Sequence, residues 1–463
     1  MPKEIQSAED FTLNKAYITS NRFLQVIDVK KVTIEINIYE NIRMPYLTGS
    51  IMILDDNGLF TAADFQGTEK LLLEFSLPMN GAYTISKTFI MNRVEKVQKS
   101  NDNTSMLLFN LIEDVGFFNN IQSFSKSYSG KGEEIISKIL SDKLGKTLYN
   151  NFKTFTNSYQ NTFRLLVPFK TPFQAIKMVL DKITTENGSP YFLYSTLNSD
   201  QLVLADLDTI MNRQPFNLLE PFQYDQSLAN GSGNVDNTPM TSGSVLLQAR
   251  SIYNINEPNQ EDTLMLSELG ATGSLFTTTD MTTGNEITYE HNVNSVYNQL
   301  LNASVIKSNY NNVLVDNSFI ADPSGTNTAK LGDYNSVTFS QVAGGRTFPY
   351  SSNVNNWTFE SDPSAYKLKI FKHAIEQLLL KNNIELLLPG LKFLTGDMTT
   401  SVGNQLEMIV FKNEMVDTVT DRSDYKKSGS FIINTKRHIF NITDQKHVVS
   451  LSCSRISNRE VTV

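Results

Sequence analysis

The sequence predicts a mainly β protein with α+β insertions: two related small antiparallel β-barrels at the two ends of the chain, with an α+β domain and a loop-rich β region between them. Three observations lead there. Residues 31–113 alternate apolar and polar side chains with the period of half-buried strands. Helical spacing replaces that alternation at 129–145, 171–184 and 365–383. The last strands of the chain then echo the first ones, block by block.

The chain has 463 residues, enough for about two to four domains. Charged residues make up 19%, below the roughly 25% typical of soluble proteins, and Asn, Ser and Thr supply the polar bulk, most densely between 225 and 365. Such side chains compete with the helical backbone for hydrogen bonds, which favours strands, turns and loops. A net charge of −8 gives no general attraction for nucleic acid. The single cysteine, Cys453, excludes an intramolecular disulfide framework and a Cys-rich zinc site. The opening "MPKEIQSAED" lacks the apolar core of a secretory signal, and no segment approaches the ~18 uninterrupted apolar residues of a membrane helix. A protein assembled in the cytoplasm, with no membrane span, is expected.

The first barrel is expected over 1–113. "KVTIEINIYE" sets Val32, Ile34, Ile36 and Ile38 on one face, and Thr33, Glu35 and Asn37 on the other. "TGSIMILDD", "EKLLLEF", "KTFIMNRVEKVQ" and "MLLFNLIE" are the further strands, joined by short polar turns. The α+β domain is expected over 114–212. In "SGKGEEIISKILSDKLG", Ile135, Ile136, Ile139, Leu140 and Leu144 recur at helical spacing; Glu133 and Glu134 suit the positive end of the dipole, and Gly145 ends the helix. "TPFQAIKMVLDKIT" is a second helix, capped by Thr171 with Pro172 at its first position. "SPYFLYST" and "QLVLAD" read as a hairpin. Residues 213–365 form the loop-rich region expected to contact partners. There "SVLLQARSIYNI" reads as a strand and "TTDMTTGNEITYEH" as a hairpin. Residues 366–463 hold the helix "AYKLKIFKHAIEQLLLKNN" and the second barrel, in "IELLLPG", "NQLEMIVF", "SGSFIINTKRHIF" and "KHVVSLSCSRIS".

The two ends match in order. "YLTGS" pairs with "FLTGD", aligning Tyr46 with Phe393 and Gly49 with Gly396. "GTEKLLLEF" pairs with "GNQLEMIVF", aligning Gly67 with Gly403. "TFIMN" pairs with "SFIIN", aligning Phe89 with Phe431 and Asn92 with Asn434. From there the copies run without a gap, setting Met106, Leu107 and Phe109 against Val448, Val449 and Leu451. "IE" also recurs, at Ile34-Glu35 and Ile384-Glu385. The shared order points to a duplicated barrel, with Gly49 and Gly396 as one turn in two copies.

No catalytic, metal or cofactor constellation emerges. His291, His373, His438 and His447 lack metal-ligand spacing, although His438 and His447 fall near the two arms of one hairpin and can approach each other. "YSGKGEE" follows Lys131 with Gly132 and lacks phosphate-loop spacing. Asp55-Asp56 stand just before Asn57-Gly58 and read as turn chemistry. Cys453 reads as a small buried hydrophobe. Charge is uneven, with eight basic residues against three acidic ones between Arg422 and Glu460. Lys426, Lys427, Lys436, Arg437 and Arg455 then outline a basic surface for an acidic partner or passing nucleic acid, beside the plainer reading of a solvated face.

"IEINIYENIRMPYLTGSIMILDDNGLF" followed by "GTEKLLLEFSLP" resembles the opening of the central baseplate hub proteins of T-even-type contractile phage tails, whose first barrel carries a similar E-N-I-x-x-P-Y-L-T-G-S-I-x-I-x-D run. "VPFKTPFQAIKMVLDKI", "SPYFLYS" and "LGATGSLFTTTDMTTGNEITYEHN" are similar to later parts of such a hub. "SGSFIINTKRHIF" with "HVVSLSCSRIS" resembles the closing barrel of the wider tail-hub superfamily, whereas 308–365 matches no hub pattern. The resemblance implies a non-enzymatic virion protein of the tail baseplate. It implies a homotrimer whose six related barrels join a sixfold tail tube to a threefold central spike around a DNA channel. The implied partners are the spike, tail tube or tube-initiator proteins and a tape-measure protein, with transient DNA passage; the basic residues would face the lumen or an interface. The hub of a non-viral contractile injection system, a tailocin or secretion apparatus, shares this architecture. A tail-associated cell-wall hydrolase is the remaining reading, and its catalytic set is missing.

Overall fold

A computed structural model describes residues 5–22, 25–56, 58, 63–78, 84–101, 104–149, 163–185, 187–224, 242–257, 263–280, 286–302, 310–311, 319–321, 328–343, 363–411, 423–424, 427–455 and 458–459. The first half of the fold is built from β1 (Thr12–Thr19), β2 (Ile27–Asp28), β3 (Thr33–Asn41), β4 (Thr48–Asp55), β5 (Glu69–Ser76), β6 (Thr84–Asn101) and β7 (Thr104–Glu113). They pair antiparallel in the order β3-β4-β7-β6-β5-β1-β2. The period-two pattern does this: β4 buries Gly49, Ile51, Ile53 and Asp55 and leaves Thr48, Ser50, Met52 and Leu54 half-exposed. Ile36, Ile38, Ile51, Leu71, Leu73, Phe75, Phe89 and Phe109 fill one core, each buried side chain stabilising by roughly 1.5–3 kcal/mol.

Next come α1 (Asp114–Asn120), β8 (Phe124–Gly130), α2 (Gly132–Ile139), β9 (Phe163–Lys170), α3 (Pro172–Leu180), β10 (Tyr191–Thr196), β11 (Ser199–Asp206) and α4 (Leu207–Asn212). α2 runs on through a wider turn to Gly145, whose φ of 62° ends it. Thr171 caps α3 in a capping box with Gln174. Hairpin β10–β11 is buried along most of its length.

The middle of the chain contains β12 (Phe222–Tyr224), α5 (Ser242–Gln248), β13 (Asn254–Asn256), α6 (Thr263–Glu268), β14 (Gly273–Asp280), β15 (Glu286–Asn292) and α7 (Val293–Asn302). β16 (Tyr310–Asn311), β17 (Phe319–Ala321), β18 (Thr328–Lys330) and β19 (Val337–Ala343) follow. "SVLLQAR" holds helix α5 rather than a strand, and after it Ser251 bridges Gln223 and "NIN" forms β13. β14 and β15 form the antiparallel hairpin read from the sequence. Most of 308–365 lies outside the described residues.

The last part is α8 (Pro363–Lys381), β20 (Asn382–Pro389), β21 (Gln405–Val410), β22 (Gly429–Asn441), β23 (Lys446–Arg455) and β24 (Asn458–Arg459). β22 pairs with β3, so both ends of the chain share one 13-stranded sheet in the order β13-β20-β23-β22-β3-β4-β7-β6-β5-β1-β2, with β21 beside β22 and β12 beside β21. Among the described residues the sheet closes into no barrel. Asn37, expected on an open face, is buried because Arg437 of β22 lies across it.

The closing hairpins of the two halves share a register from Ile90 to Val94 and from Ile432 to Lys436. Ile90 faces Ile112 and Met91 faces Leu111 before a bulge that ends at Arg93. Ile432 faces Ser454 and Ile433 faces Cys453 before a bulge that ends at Thr435. Asn92 and Asn434 are the inserted residues. Gly67 and Gly403, with φ of 84° and 74°, lie just before β5 and β21.

The first block differs. Gly49 lies inside β4, opposite Ile38 and Leu111, while Gly396 has φ of 73° outside any strand. They are not one turn: a Cβ on Gly49 would stand 2.5 Å from the Asn37 carbonyl oxygen, so close strand approach is what requires glycine there. Tyr46 stacks on Phe173 and Phe393 stacks on Phe222, so that pair is not equivalent either. The reason is topological. β20 pairs with β23 as β4 pairs with β7, Leu386 facing Leu451 where Ile51 faces Phe109. Ile384-Glu385 therefore fall in the place of Gly49-Ser50, and not of Ile34-Glu35.

Candidate functional site

The two halves of the chain meet where β3 lies beside β22, and this seam holds a buried ionic cluster. Lys436 Nζ stands 3.0 Å from Glu40 Oε1, with both side chains fully buried. The ammonium also donates to the Thr400 carbonyl at 3.2 Å, and Glu40 Oε1 accepts the Leu197 amide at 3.2 Å. His438 Nε2 is 3.6 Å from the same carboxylate oxygen, and its Nδ1 lies 2.9 Å from His447 Nε2. Burial pushes the Glu40 carboxyl up, and the neighbouring Lys436 and His438 outweigh it, holding it at about 2. The His447 ring stacks on Phe440, which stacks in turn on Phe75 of β5. Apolar and ionic contacts thus cross the same line.

Burial lowers His438 to about 4 and places His447 well below 6.5. Unfolded, both take protons near 6.5. The folded chain therefore binds fewer protons than the unfolded chain below that pH, so the stability is present above 6.5 and is lost as pH falls. The unfolding free energy from urea titrations is expected to drop between pH 6.5 and 4 by on the order of a few kcal/mol. His438→Gln with His447→Gln flattens that slope; an unchanged slope would exclude these two groups.

Gly390 precedes a turn at the end of β20 with φ of −80°, which any residue adopts. A Cβ there would lie 1.9 Å from His447 Nδ1. Gly390→Ala is expected to cost about 1–3 kcal/mol or more through overpacking. Adding His447→Ala should recover part of that loss, a coupling that a double-mutant cycle of urea midpoints measures.

The turn of hairpin β10–β11 is inserted beside the seam and fastened from several sides. Lys87 Nζ pairs with Glu113 Oε1 at 2.9 Å, both nearly fully buried. Lys87 also donates to the carbonyls of Thr196 and Ser199, at 3.3 and 2.7 Å, and reaches Asp200 at 3.2 Å. Glu113 Oε2 accepts from Ser195 Oγ at 2.8 Å and from the Leu47 amide at 2.9 Å. From the other half, Asn198 Nδ2 donates to the Asp397 carbonyl at 2.7 Å.

Of the five basic residues expected to form a surface near the C-terminus, two are buried. Lys436 is fully buried on Glu40, so it faces neither lumen nor partner. Arg455 is buried: its guanidinium lies over Phe431 and donates to the Ser428 carbonyl at 2.8 Å. Lys427 pairs with Glu257 at 2.9 Å. Arg437 is half-buried, donates twice to Asn37 Oδ1 and covers the Tyr39 ring. Lys426 lies outside the described residues. The bulge at Asn434 explains the burial of Lys436, because it flips the inward phase of β22 so that Lys436, His438 and Phe440 point to the core. Glu40, Lys87 and Glu113 escaped the sequence reading; the one available signal was a charge at an inward position of an alternating strand.

On the opposite face of this sheet, Arg437, Tyr39, Thr48, Thr435, Asn41, Ser450, Ser452 and Glu385 line a cleft of about 430 Å³. Among the described residues, no three His, Cys, Asp or Glu side chains group as a metal site, and no helix is long and apolar enough to cross a membrane.

The crystal structure of a tail protein of prophage MuSo2 from Shewanella oneidensis superposes with a TM-score of 0.50 at 9% identity, covering 96% of this chain and 98% of that one. The chain has the fold of a phage tail protein. A tail protein from Neisseria meningitidis is similar over 96% of this chain and 97% of its own, with a TM-score of 0.49 at 10% identity. A chain of the Francisella PdpA–VgrG complex matches 98% of this chain and 59% of its own, with a TM-score of 0.42 at 9% identity. No protein-family model and no curated protein sequence matches. Within the tail-protein fold, the seam and the fastened hairpin are the places where the two ends of this chain become one body.

Proposed function

We propose that this chain is the structural hub of a contractile phage-tail baseplate, a homotrimer joining the sixfold tail tube to the threefold central spike. The observation that carries the reading is the pair of hairpins that share register and bulge from Ile90 to Val94 and from Ile432 to Lys436, held in a single sheet inside a chain with a tail-protein fold. Two related sheet units per chain give six in a trimer, which matches a sixfold neighbour on one side and a threefold neighbour on the other. The run from Glu40 to Asp55 that resembles T-even-type hubs lies across the seam and β4. The role is structural rather than catalytic, carried out in the virion tail after cytoplasmic assembly.

In this reading the sheet face opposite the core lines the DNA channel. Thr48, Ser50, Asn110, Thr435, Ser450 and Ser452 lie half-exposed there. A wall of hydroxyls and amides gives a passing polyanion few cations to bind, so it displaces few of the counterions condensed on DNA and holds the DNA weakly. Arg437, held on Asn37 and Tyr39, is the basic residue of the original set that stays on this face. The spike, the tail tube or its initiator, and a tape-measure protein are the partners. Electron micrographs of the purified assembly test the reading. A ring of six similar lobes around a central hole is expected; particles without a hole, or with three unlike lobes, would oppose it.

A further inference from the structure

The joint between the two halves has an unused counterpart in the same chain. Along β22, residues 429–432 pair with β21, and beyond the bulge residues 435–441 pair on that same side with β3. β6 is built alike: residues 84–91 pair with β5, the bulge falls at Asn92, and β7 covers the other side to Asn101. Among the described residues, no strand lies on the β5 side of β6 beyond Asn92.

The other half of the joint is duplicated too. β13 pairs with β20 as β3 pairs with β4. Ile255 faces Leu386 where Ile36 faces Ile51, and Asn256 faces Glu385 where Asn37 faces Ser50. The residues agree, Asn254-Ile255-Asn256 standing where β3 has Glu35-Ile36-Asn37. β3 carries β22 on its far side, whereas β13 ends the sheet among the described residues. One open edge of each kind therefore remains, and the two differ, as a head-to-tail contact that can close into a ring requires. An open edge presents unpaired backbone N–H and C=O groups that another strand can pair with.

We propose that β6 beyond Asn92 pairs antiparallel with β13 of a second copy, repeating between chains the β22–β3 joint made within each chain. This rests on the self-assembly reading above and names its contact. β6 has two further bulges, between Val94 and Lys96 and between Lys99 and Asn101, and the first lies before Gln98, so the register is counted from β7. Gln98 faces Met106 where Ile439 faces Val448, and Val97 faces Leu107 where His438 faces Val449. Between copies Gln98 then lies opposite Asn256, as Ile439 lies opposite Asn37. Val94 takes the place of the buried Lys436, so the contact between chains carries no lysine there.

Cysteines placed at Gln98 and Asn256 of the full chain test the pairing, with a short bismaleimide as probe. An equimolar mixture of the two single variants should crosslink into dimers, while each variant alone stays uncrosslinked, since Cys453 is buried. In a second arm, Gln98→Lys with Asn256→Lys sets like charges opposite each other and should weaken association about tenfold, and Gln98→Lys with Asn256→Glu should restore it. Assemblies that form without crosslinking, and that ignore the lysine pair, overturn this pairing and leave the hub reading standing. A chain that stays monomeric at every concentration overturns both.

Discussion

Lys436→Met is expected to destabilise the folded chain by about 3–5 kcal/mol, because it leaves the Glu40 carboxylate buried without its cation. The pair itself contributes little net stability, since taking two charges out of water offsets most of their attraction. Glu40→Leu combined with Lys436→Met should therefore cost much less than either change alone. What it still loses are the acceptor for the Leu197 amide and the donor to the Thr400 carbonyl, about 1 kcal/mol each. Urea midpoints of the two single variants and the double variant measure this. If the double variant were as damaged as the sum of the singles, the cluster would not behave as a coupled pair. Amide exchange locates the damage: protection should fall first in β3 and β22, which the pair joins.

Lys87→Met is expected to cost a similar 3–5 kcal/mol, for the same reason at Glu113. The consequence differs in place. Lys87 holds the Thr196 and Ser199 carbonyls, and Glu113 holds Ser195, so this variant should release hairpin β10–β11 from the first half of the sheet. Exchange should rise in Tyr191–Asp206 while β22 and β23 keep their protection. Equal loss in all four strands would mean that hairpin and seam are one unit rather than two.

Strand existence was legible in the sequence because inward and outward residues alternate, as in β4, and helix α3 was legible from Thr171 and Pro172. The register shared by the closing hairpins around Asn92 and Asn434 was legible because 92–109 and 434–451 are equal in length, whereas the further bulges of β6 were not. Strand partners were not. Alternation says which face a residue takes, and says nothing of which strand lies beside it. Thus "IELLLPG" matched β3 by letter while its pairing makes it the counterpart of β4, and the true counterpart of β3 is a three-residue strand at Asn254–Asn256, remote in sequence. Lys436 was misplaced for a related reason. A single inserted residue at Asn434 exchanges inward and outward positions, turning Lys436 from a surface charge into half of a buried pair.

The mass of the intact assembly tests the central claim most directly. Native mass spectrometry of the purified chain at micromolar concentration is expected to give a species three times the 52.1 kDa subunit mass. A stable monomer under those conditions, or a closed dimer, would contradict a trimeric hub built from two related sheet units per chain.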